Sequence, residues 1–285
     1  MGIIFLIIGV AIFSISNVLW KKAIFNADFK YVIFVKSAFT SLFFGSLLIF
    51  NEIHNIGLDL KIKNFHSLNI HLLYTIILCV FSFYGLFFYL KSLEQENPSI
   101  TIAVSSINLF GILTSFIILG EIWKNVYYIV FALILISIIL LYKQTKDDGK
   151  YYSIKYAIIA SFFWGVSYTL FKIPIEEYGA ILFTFILEST IALFSFLFYI
   201  RRFDQFKNIS KKYLLYIVAC SILSSYFFHA SYLYLDTINI IIFQKFSIPL
   251  SLIISYYIFK EKIGWIKFLA IICIFISLII SSFYV

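Results

Sequence analysis

Three ionisable side chains lie well inside long apolar runs of this sequence: Lys36, Glu188 and Lys245. A charge near the centre of a bilayer costs at least about 2.5–3.5 kcal/mol, so such residues usually face a cavity or an opposite charge. Glu188 can bind an amine or carry a proton, and a lysine can bind a carboxylate or a phosphate. His229 joins them because an imidazole can change its charge near physiological pH. These four residues are therefore the first candidates for a binding site.

Depth places three of these side chains in one layer. Counted from the loop that holds Asp236, Glu188, Lys245 and His229 lie roughly 10–14 Å deep at about 1.5 Å per helical residue. Lys36 enters from the opposite face, at about 9 Å by the same rise. We predict that this layer lines a substrate cavity. The structural alternative is a buried Glu188–Lys245 ion pair, with His229 donating to a carbonyl and Lys36 reaching back to the interface.

Polar and aromatic side chains in neighbouring runs can complete such a pocket. Aromatic rings supply contact area with a polar edge and can hold a cation over their faces. The candidates are Tyr84, Asn108, Trp164, Tyr168, Tyr226 and Gln244. For each tyrosine, packing or interface anchoring is the alternative role, because 21% of the chain is Phe, Trp or Tyr.

Pro249 lies inside an apolar run that should be helical. Proline has no N–H, and its ring displaces the carbonyl four residues earlier, which here belongs to Lys245. A broken helix is tolerated at membrane depth where it faces protein or a watery cavity. We predict a kink that frees the Lys245 carbonyl and acts as a hinge for gating; a simple packing kink is the alternative.

The composition excludes a water-soluble globular protein. Of 285 residues, 62% are hydrophobic and 13% charged, against about 45–50% and 25% in soluble domains. Ten apolar runs approach the roughly 20 helical residues that cross a bilayer. They are 2–20, 31–50, 71–91, 98–119, 123–142, 152–172, 179–200, 213–235, 237–259 and 264–283. Because these runs do not alternate as barrel strands do, we predict an all-α polytopic membrane protein with ten transmembrane helices.

The polar stretch from Lys143 to Lys155 divides the ten runs into two halves of five, residues 1–145 and 150–285. The halves show weak internal symmetry, since Leu119-Gly120-Glu121 in the first corresponds to Phe259-Lys260-Glu261 in the second. An odd number of spans turns the second half over in the membrane. We therefore predict two inverted five-helix repeats, an architecture that places the substrate site between the repeats in many secondary transporters.

These segments resemble the EamA family of the drug/metabolite transporter superfamily. The resemblance is carried by WGVSYTLFK (164–172), the stretch from Tyr84 to Glu121, and the stretch from Tyr226 through Pro249 to Glu261. It implies two inverted five-helix repeats around a central cavity, and transport of small metabolites such as amino acids, nucleotide sugars or quaternary amines. The chain departs from the family pattern at Leu109, where the second half has Pro249, and at Lys36 and Glu188, where the family often has Arg.

Together these features predict a secondary transporter of a small polar metabolite such as an amino acid or an amine. Transport would proceed by alternating access in a cell inner (plasma) membrane, with proton coupling and exchange both open. Direct ATP use is not expected, because no GxxxxGK[ST] motif occurs. The alternative is a flippase for a lipid or a lipid-linked headgroup, which the resemblance also permits. No enzyme is expected, since a nucleophile elbow, an HExxH motif and paired acids in one span are all missing.

The expected partners are a small-molecule substrate, membrane lipids and, if coupled, protons, with no nucleic acid, cofactor or metal. The formal charge of +8 comes from short loops and does not indicate nucleic-acid binding. Cys79, Cys220 and Cys273 lie in apolar runs without metal or disulfide spacing, which indicates packing roles. A monomer and a homodimer are both compatible with the sequence.

Loop charges predict the orientation. Of the 22 basic residues, 16 fall in loops on the side of the central connection, and Lys36 and Lys245 lie within spans. The side of both termini carries the other four, Lys61, Lys63, Lys124 and Lys172. By the positive-inside rule the termini are extracytoplasmic. The family resemblance implies the reverse orientation, and we follow the charge count.

Overall fold

The chain is built from α-helices in the part that the computed structural model describes. That part comprises residues 1–54, 68–95, 101, 104–105, 109–120, 124–147, 151–201, 203–260 and 264–282. The helices are α1 (Gly2–Ala23), α2 (Phe29–His54), α3 (Leu68–Gln95), α4 (Leu109–Ile118), α5 (Val126–Asp147), α6 (Tyr151–Leu170), α7 (Lys172–Tyr199), α8 (Lys211–Ser231), α9 (Thr237–Gln244), α10 (Ser247–Phe259) and α11 (Trp265–Ser282). Helices suit these apolar runs because each satisfies its backbone groups internally.

Six segments of the described chain are long and apolar enough to cross a membrane. They are Gly2–Ala23, Phe29–His54, His71–Glu94, Lys172–Tyr199, Lys211–Ser231 and Thr237–Phe259. Shorter apolar helices occur at Val126–Ser137 and Phe268–Ser277. The chain is therefore a multi-pass helical membrane protein, and the number of ten spans stays a prediction.

Helices of the first half pack on helices of the second half. The main pairs are α1 with α8, α2 with α7, α3 with α6, and α5 with α11. The first helix of each half thus packs on the third helix of the other, and the second and fifth helices pack on their own counterparts. The contact of α4 with α6 has its counterpart in that of α10 with α1. The packing is therefore symmetric under exchange of the two halves.

Equivalent hydrogen bonds join the first and third helices within each half. The Tyr89 hydroxyl of α3 donates to the Asn17 carbonyl of α1 at 2.9 Å. The Tyr232 hydroxyl, just after α8, donates to the Tyr168 carbonyl of α6 at 2.7 Å. Both tyrosines are almost fully buried, where a phenol needs a partner for its hydroxyl. The two bonds fix corresponding helix pairs in the same way.

Two long apolar runs are interrupted within their helices. Within α7, Gly179 has φ 76° and ψ 163°, a conformation that side chains other than hydrogen strongly disfavour. The ninth apolar run is divided into α9 and α10 at Lys245 and Phe246. Both breaks lie in helices that reach the centre of the molecule.

The break between α9 and α10 differs from the kink expected from Pro249. The Lys245 carbonyl accepts a hydrogen bond from the Ile248 N–H at 3.0 Å. The N–H groups of Lys245 and Phe246 likewise donate three residues back, to Ile242 and Phe243. This 3₁₀ tightening satisfies the carbonyl that proline cannot serve. The prediction of a freed Lys245 carbonyl is therefore wrong.

Candidate functional site

A cavity of about 90 Å³ lies between the two halves. It exceeds the room for a single water, which needs about 10–15 Å³. Its polar lining comes from Ser16, Asn17, Lys36, Ser82, Glu188, Ser221, Ser224, Ser225, His229 and Gln244. Its aromatic lining comes from Phe13, Trp20, Trp164, Tyr168 and Phe228. The first three helices of each half, together with α9, therefore contribute to one site.

An ion pair in the wall of the cavity joins α2 to α7. Lys36 Nζ lies 2.5 Å from Glu188 Oε1, and the two residues are only 6% and 3% exposed. The packing of α2 on α7 brings them together. The partner of Glu188 is thus Lys36, and the Glu188–Lys245 pair considered from the sequence does not form.

The second carboxylate oxygen of Glu188 has unused hydrogen-bonding capacity. Among the described residues, Glu188 Oε2 is buried without a hydrogen-bond partner, although a carboxylate can accept several bonds. Leaving such an acceptor unsatisfied costs free energy. Because Glu188 lines the cavity, a donor on a bound solute would satisfy it.

His229 is held in one orientation by Thr184. The Thr184 hydroxyl donates to the Ala180 carbonyl at 2.6 Å and lies 2.6 Å from His229 Nδ1. A hydroxyl has a single proton, so it accepts from Nδ1, which must carry the hydrogen. In a neutral imidazole, Nε2 is then an acceptor. Phe183 packs edge-on against the ring and fixes it further.

Trp164 and Tyr168 form an aromatic wall on α6. Their rings are stacked with centroids 5.8 Å apart and planes 13° apart, and the ring of Tyr89 also packs against Trp164, with centroids 5.1 Å apart. The indole fits because α3 has a glycine opposite it: a Cβ at Gly85 would lie 2.3 Å from Trp164 Cδ1. A wall of this kind can hold a cationic group over its rings.

Helical periodicity brings the lining residues of α1 to one face. Phe13, Asn17 and Trp20 are spaced by four and three residues, so they lie on one stripe of the helix. The lining residues of α8 repeat in the same way, namely Ser221, Ser224, Ser225, Phe228 and His229. The sequence argument missed the serines of α8, although the stripe that ends at His229 is a signal that could have identified them.

The structure brings six of the predicted site residues together and leaves four others elsewhere. The six that line the cavity are Lys36, Trp164, Tyr168, Glu188, His229 and Gln244. Lys245 is 1% exposed but does not line the cavity. Tyr84 and Tyr226 pack against aromatic neighbours outside it. Pro249 is buried in α10, and Asn108 lies outside the described residues.

Similarity to known proteins agrees with the resemblance noted in the sequence. The model of the EamA-like transporter family matches the chain twice, over residues 1–143 and 152–283. No curated protein matches it. A solved structure described only as a crystal structure of a protein has a TM-score of 0.66 and 15% sequence identity, covering 98% of each chain, which shows a shared fold. Because the two family matches span nearly the whole sequence, the chain belongs to the EamA-like transporter family, within the drug/metabolite transporter superfamily.

Proposed function

We propose that this protein is a secondary transporter that moves a small polar metabolite, an amino acid or an amine, through the central cavity without ATP. One observation carries the proposal. A buried Lys36–Glu188 ion pair lines a cavity between the two halves, and Glu188 Oε2 there has no partner among the described residues. Burying a charged pair inside a membrane protein costs free energy, and binding of a polar solute would explain why the pair is present.

Each polar group of the cavity has a defined part in binding. Glu188 Oε2 accepts from a solute ammonium, and Lys36 provides a cation for a solute carboxylate. His229 offers Nε2 as an acceptor when its ring is neutral. Trp164 and Tyr168 present ring faces to the cationic end of the solute. The site therefore suits a compact solute with hydrogen-bond donors and at least one charge.

Alternating access fits the arrangement of the two halves. Residues 1–145 and 150–285 would form two inverted five-helix repeats that rock around the cavity. The exchange symmetry of the helix packing and the two family matches support this division. The breaks at Gly179 and between α9 and α10, next to Pro249, would serve as hinges. We place the protein in the inner (plasma) membrane, as a monomer or a homodimer.

Thermal unfolding of the purified protein with a panel of solutes tests the proposal. The panel comprises amino acids, amines, nucleotides, sugar phosphates and phospholipid headgroups. We expect amino acids or amines to raise the melting temperature, because a ligand stabilises the state that binds it. The matched control is the double variant Lys36→Met with Glu188→Gln, which should lose the response. Stabilisation by phospholipid headgroups alone would contradict the proposal and favour a flippase.

A further inference from the structure

Lys36 and Glu188 carry charges that cancel within the protein itself. Their charged atoms are 2.5 Å apart, and both side chains are buried. A lone carboxylate at this position would be an unpaired charge inside the membrane, which is strongly unfavourable. Lys36 therefore neutralises the charge of Glu188, as a bound cation or a proton would. Unlike those, it is covalently part of the chain.

A zwitterionic solute preserves this balance. Its ammonium can bind Glu188 Oε2, since Oε1 is the atom that faces Lys36. Its carboxylate can then approach Lys36 Nζ. The cavity has zero net charge before and after binding. A simple cationic amine would instead add one positive charge, and a simple carboxylate one negative charge.

In the part of the chain that the structure describes, the other titratable groups facing this pair lie on three helices. They are Cys79 on α3, Tyr168 on α6 and His229 on α8. Thiols and phenols carry no charge near neutral pH. An imidazole is the one of these three side-chain types whose ordinary titration falls near neutral pH, so His229 is the group that a competing proton route would use. The bond from Nδ1 to Thr184 requires only the neutral ring.

We propose that Lys36 is a tethered counter-ion of Glu188, which keeps the cavity neutral through the whole cycle, so that a zwitterion is transported electroneutrally and without a coupled proton. This inference rests on the proposed function, because it presumes that the cavity carries an amino acid. It goes further by assigning the coupling mode to one residue. The carrier could return without a solute, since no unpaired charge remains in its cavity.

Uptake by proteoliposomes tests this inference directly. The probe is a mixture of the common amino acids with uncharged side chains in radiolabelled form, added with or without a pH gradient or a potassium diffusion potential. One transported charge would change accumulation by about fiftyfold per 100 mV, and one coupled proton by about tenfold per pH unit. We expect neither gradient to change accumulation by more than about twofold, because no charge is moved. Accumulation driven by either gradient would overturn the inference and leave the proposed function standing.

The variant Lys36→Met removes the counter-ion. We expect uptake near neutral pH to fall by more than about tenfold, because Glu188 is left as an unpaired buried charge. The melting temperature of this variant should rise towards that of the wild type in acid, since protonation of Glu188 restores neutrality, whereas uptake should stay low because neither charge is then left to bind solute. Lys36→Arg should keep its activity near neutral pH. The matched control is Ser41→Ala, since Ser41 contacts Ser189 across the same pair of helices, outside the cavity.

The outcomes separate the inference from the function on which it rests. Unchanged neutral uptake by Lys36→Met, or a melting temperature of this variant that does not rise on acidification, would overturn the counter-ion role alone. A wild-type protein that takes up none of the labelled amino acids would overturn both. The gradient dependence of wild-type uptake can overturn the inference by itself. The inference therefore stays testable even if a variant fails to fold.

Discussion

The buried Lys36–Glu188 ion pair joins α2 to α7 and lines the cavity between the two halves. The cost of a charge in lipid singled out both side chains, the titration of an imidazole near neutral pH added His229, and the structure places all three around one cavity. Depth along a helix could not identify the partner of Glu188, because pairing depends on the rotation of each helix. Lys245 is buried, but it does not line the cavity.

At this scale, we predict that the pair is both structural and functional. Glu188→Gln or Lys36→Met alone should lower the melting temperature, because removing one partner of a buried pair costs about 3–5 kcal/mol. The double variant should recover most of that stability and remain inactive in uptake, since neither charge is left to bind solute. Thermal unfolding and proteoliposome uptake, measured on the same preparations, provide the check.

Ser41→Ala is the control for this comparison, because it removes a polar contact between the same two helices without touching the cavity. A double variant that regains uptake together with stability would show that the pair has only a structural role. Single variants as stable as the wild type would show that the pair contributes little to the fold.

At the scale of the helices, small residues allow close contacts between neighbouring elements. Gly85 lets Trp164 approach α3, and a Cβ there would lie 2.3 Å from Cδ1 of the indole. Such a distance cannot be accommodated unless the ring or the helix moves. Sequence reasoning selected Trp164 as a site residue, but the role of Gly85 depends on which helices pack together.

We predict that Gly85→Ala displaces the indole and damages the cavity wall. Overpacking of this kind typically costs about 1–3 kcal/mol, so the melting temperature should fall and uptake should decrease by about tenfold, the equivalent of 1.4 kcal/mol. Gly45→Ala is the matched control, since the nearest atoms to its Cβ would be those of the Phe185 ring, at 3.0 Å or more. Equal uptake by the two variants would contradict a precise role for Trp164.

The break between α9 and α10 near Pro249 is a second feature of the helices. Proline at 249 predicted a break in the ninth run, and the break is present, but its hydrogen bonding is tighter than expected. The Ile248 N–H satisfies the Lys245 carbonyl at 3.0 Å, because a local 3₁₀ bond is available one residue earlier than the missing one. Which N–H bonds to this carbonyl depends on the backbone geometry, which the residue types alone do not determine.

We predict that Pro249→Ala stiffens this segment. Alanine supplies an N–H that can bond to the Lys245 carbonyl in a regular helical turn, which would straighten the run. Uptake should slow several-fold, whereas the melting-temperature increase produced by a bound solute should stay as in the wild type. A loss of solute binding with no selective loss of rate would argue against a hinge.

For the whole molecule, apolar composition was sufficient to predict a helical membrane protein, and the family matches agree with the two similar halves. The pairing of α1 with α8 and of α3 with α6 was not predictable, since apolar helices offer few signals for choosing partners in lipid. The contact between Lys172 and Asp236, 3.6 Å apart, joins two loops that the alternation of spans assigns to the same side.

Orientation is the prediction that belongs to this scale. The excess of lysine and arginine in the central connection and its neighbouring loops places them in the cytoplasm. A single cysteine introduced by Asp148→Cys, in a chain freed of Cys79, Cys220 and Cys273, should resist an impermeant thiol reagent in intact cells and react after permeabilisation. Labelling in intact cells would show that the termini are cytoplasmic instead.

The central claim, that the cavity between the halves is the path of the solute, is tested most directly by blocking it. Ser224 lines the cavity on α8 and is buried, so Ser224→Cys in the cysteine-free chain places one thiol on its wall. A small thiol reagent should abolish amino-acid uptake by this variant but not by its cysteine-free parent, and an excess of amino acids should slow the modification. Modification that leaves uptake intact, or that proceeds equally fast with amino acids present, would contradict the account.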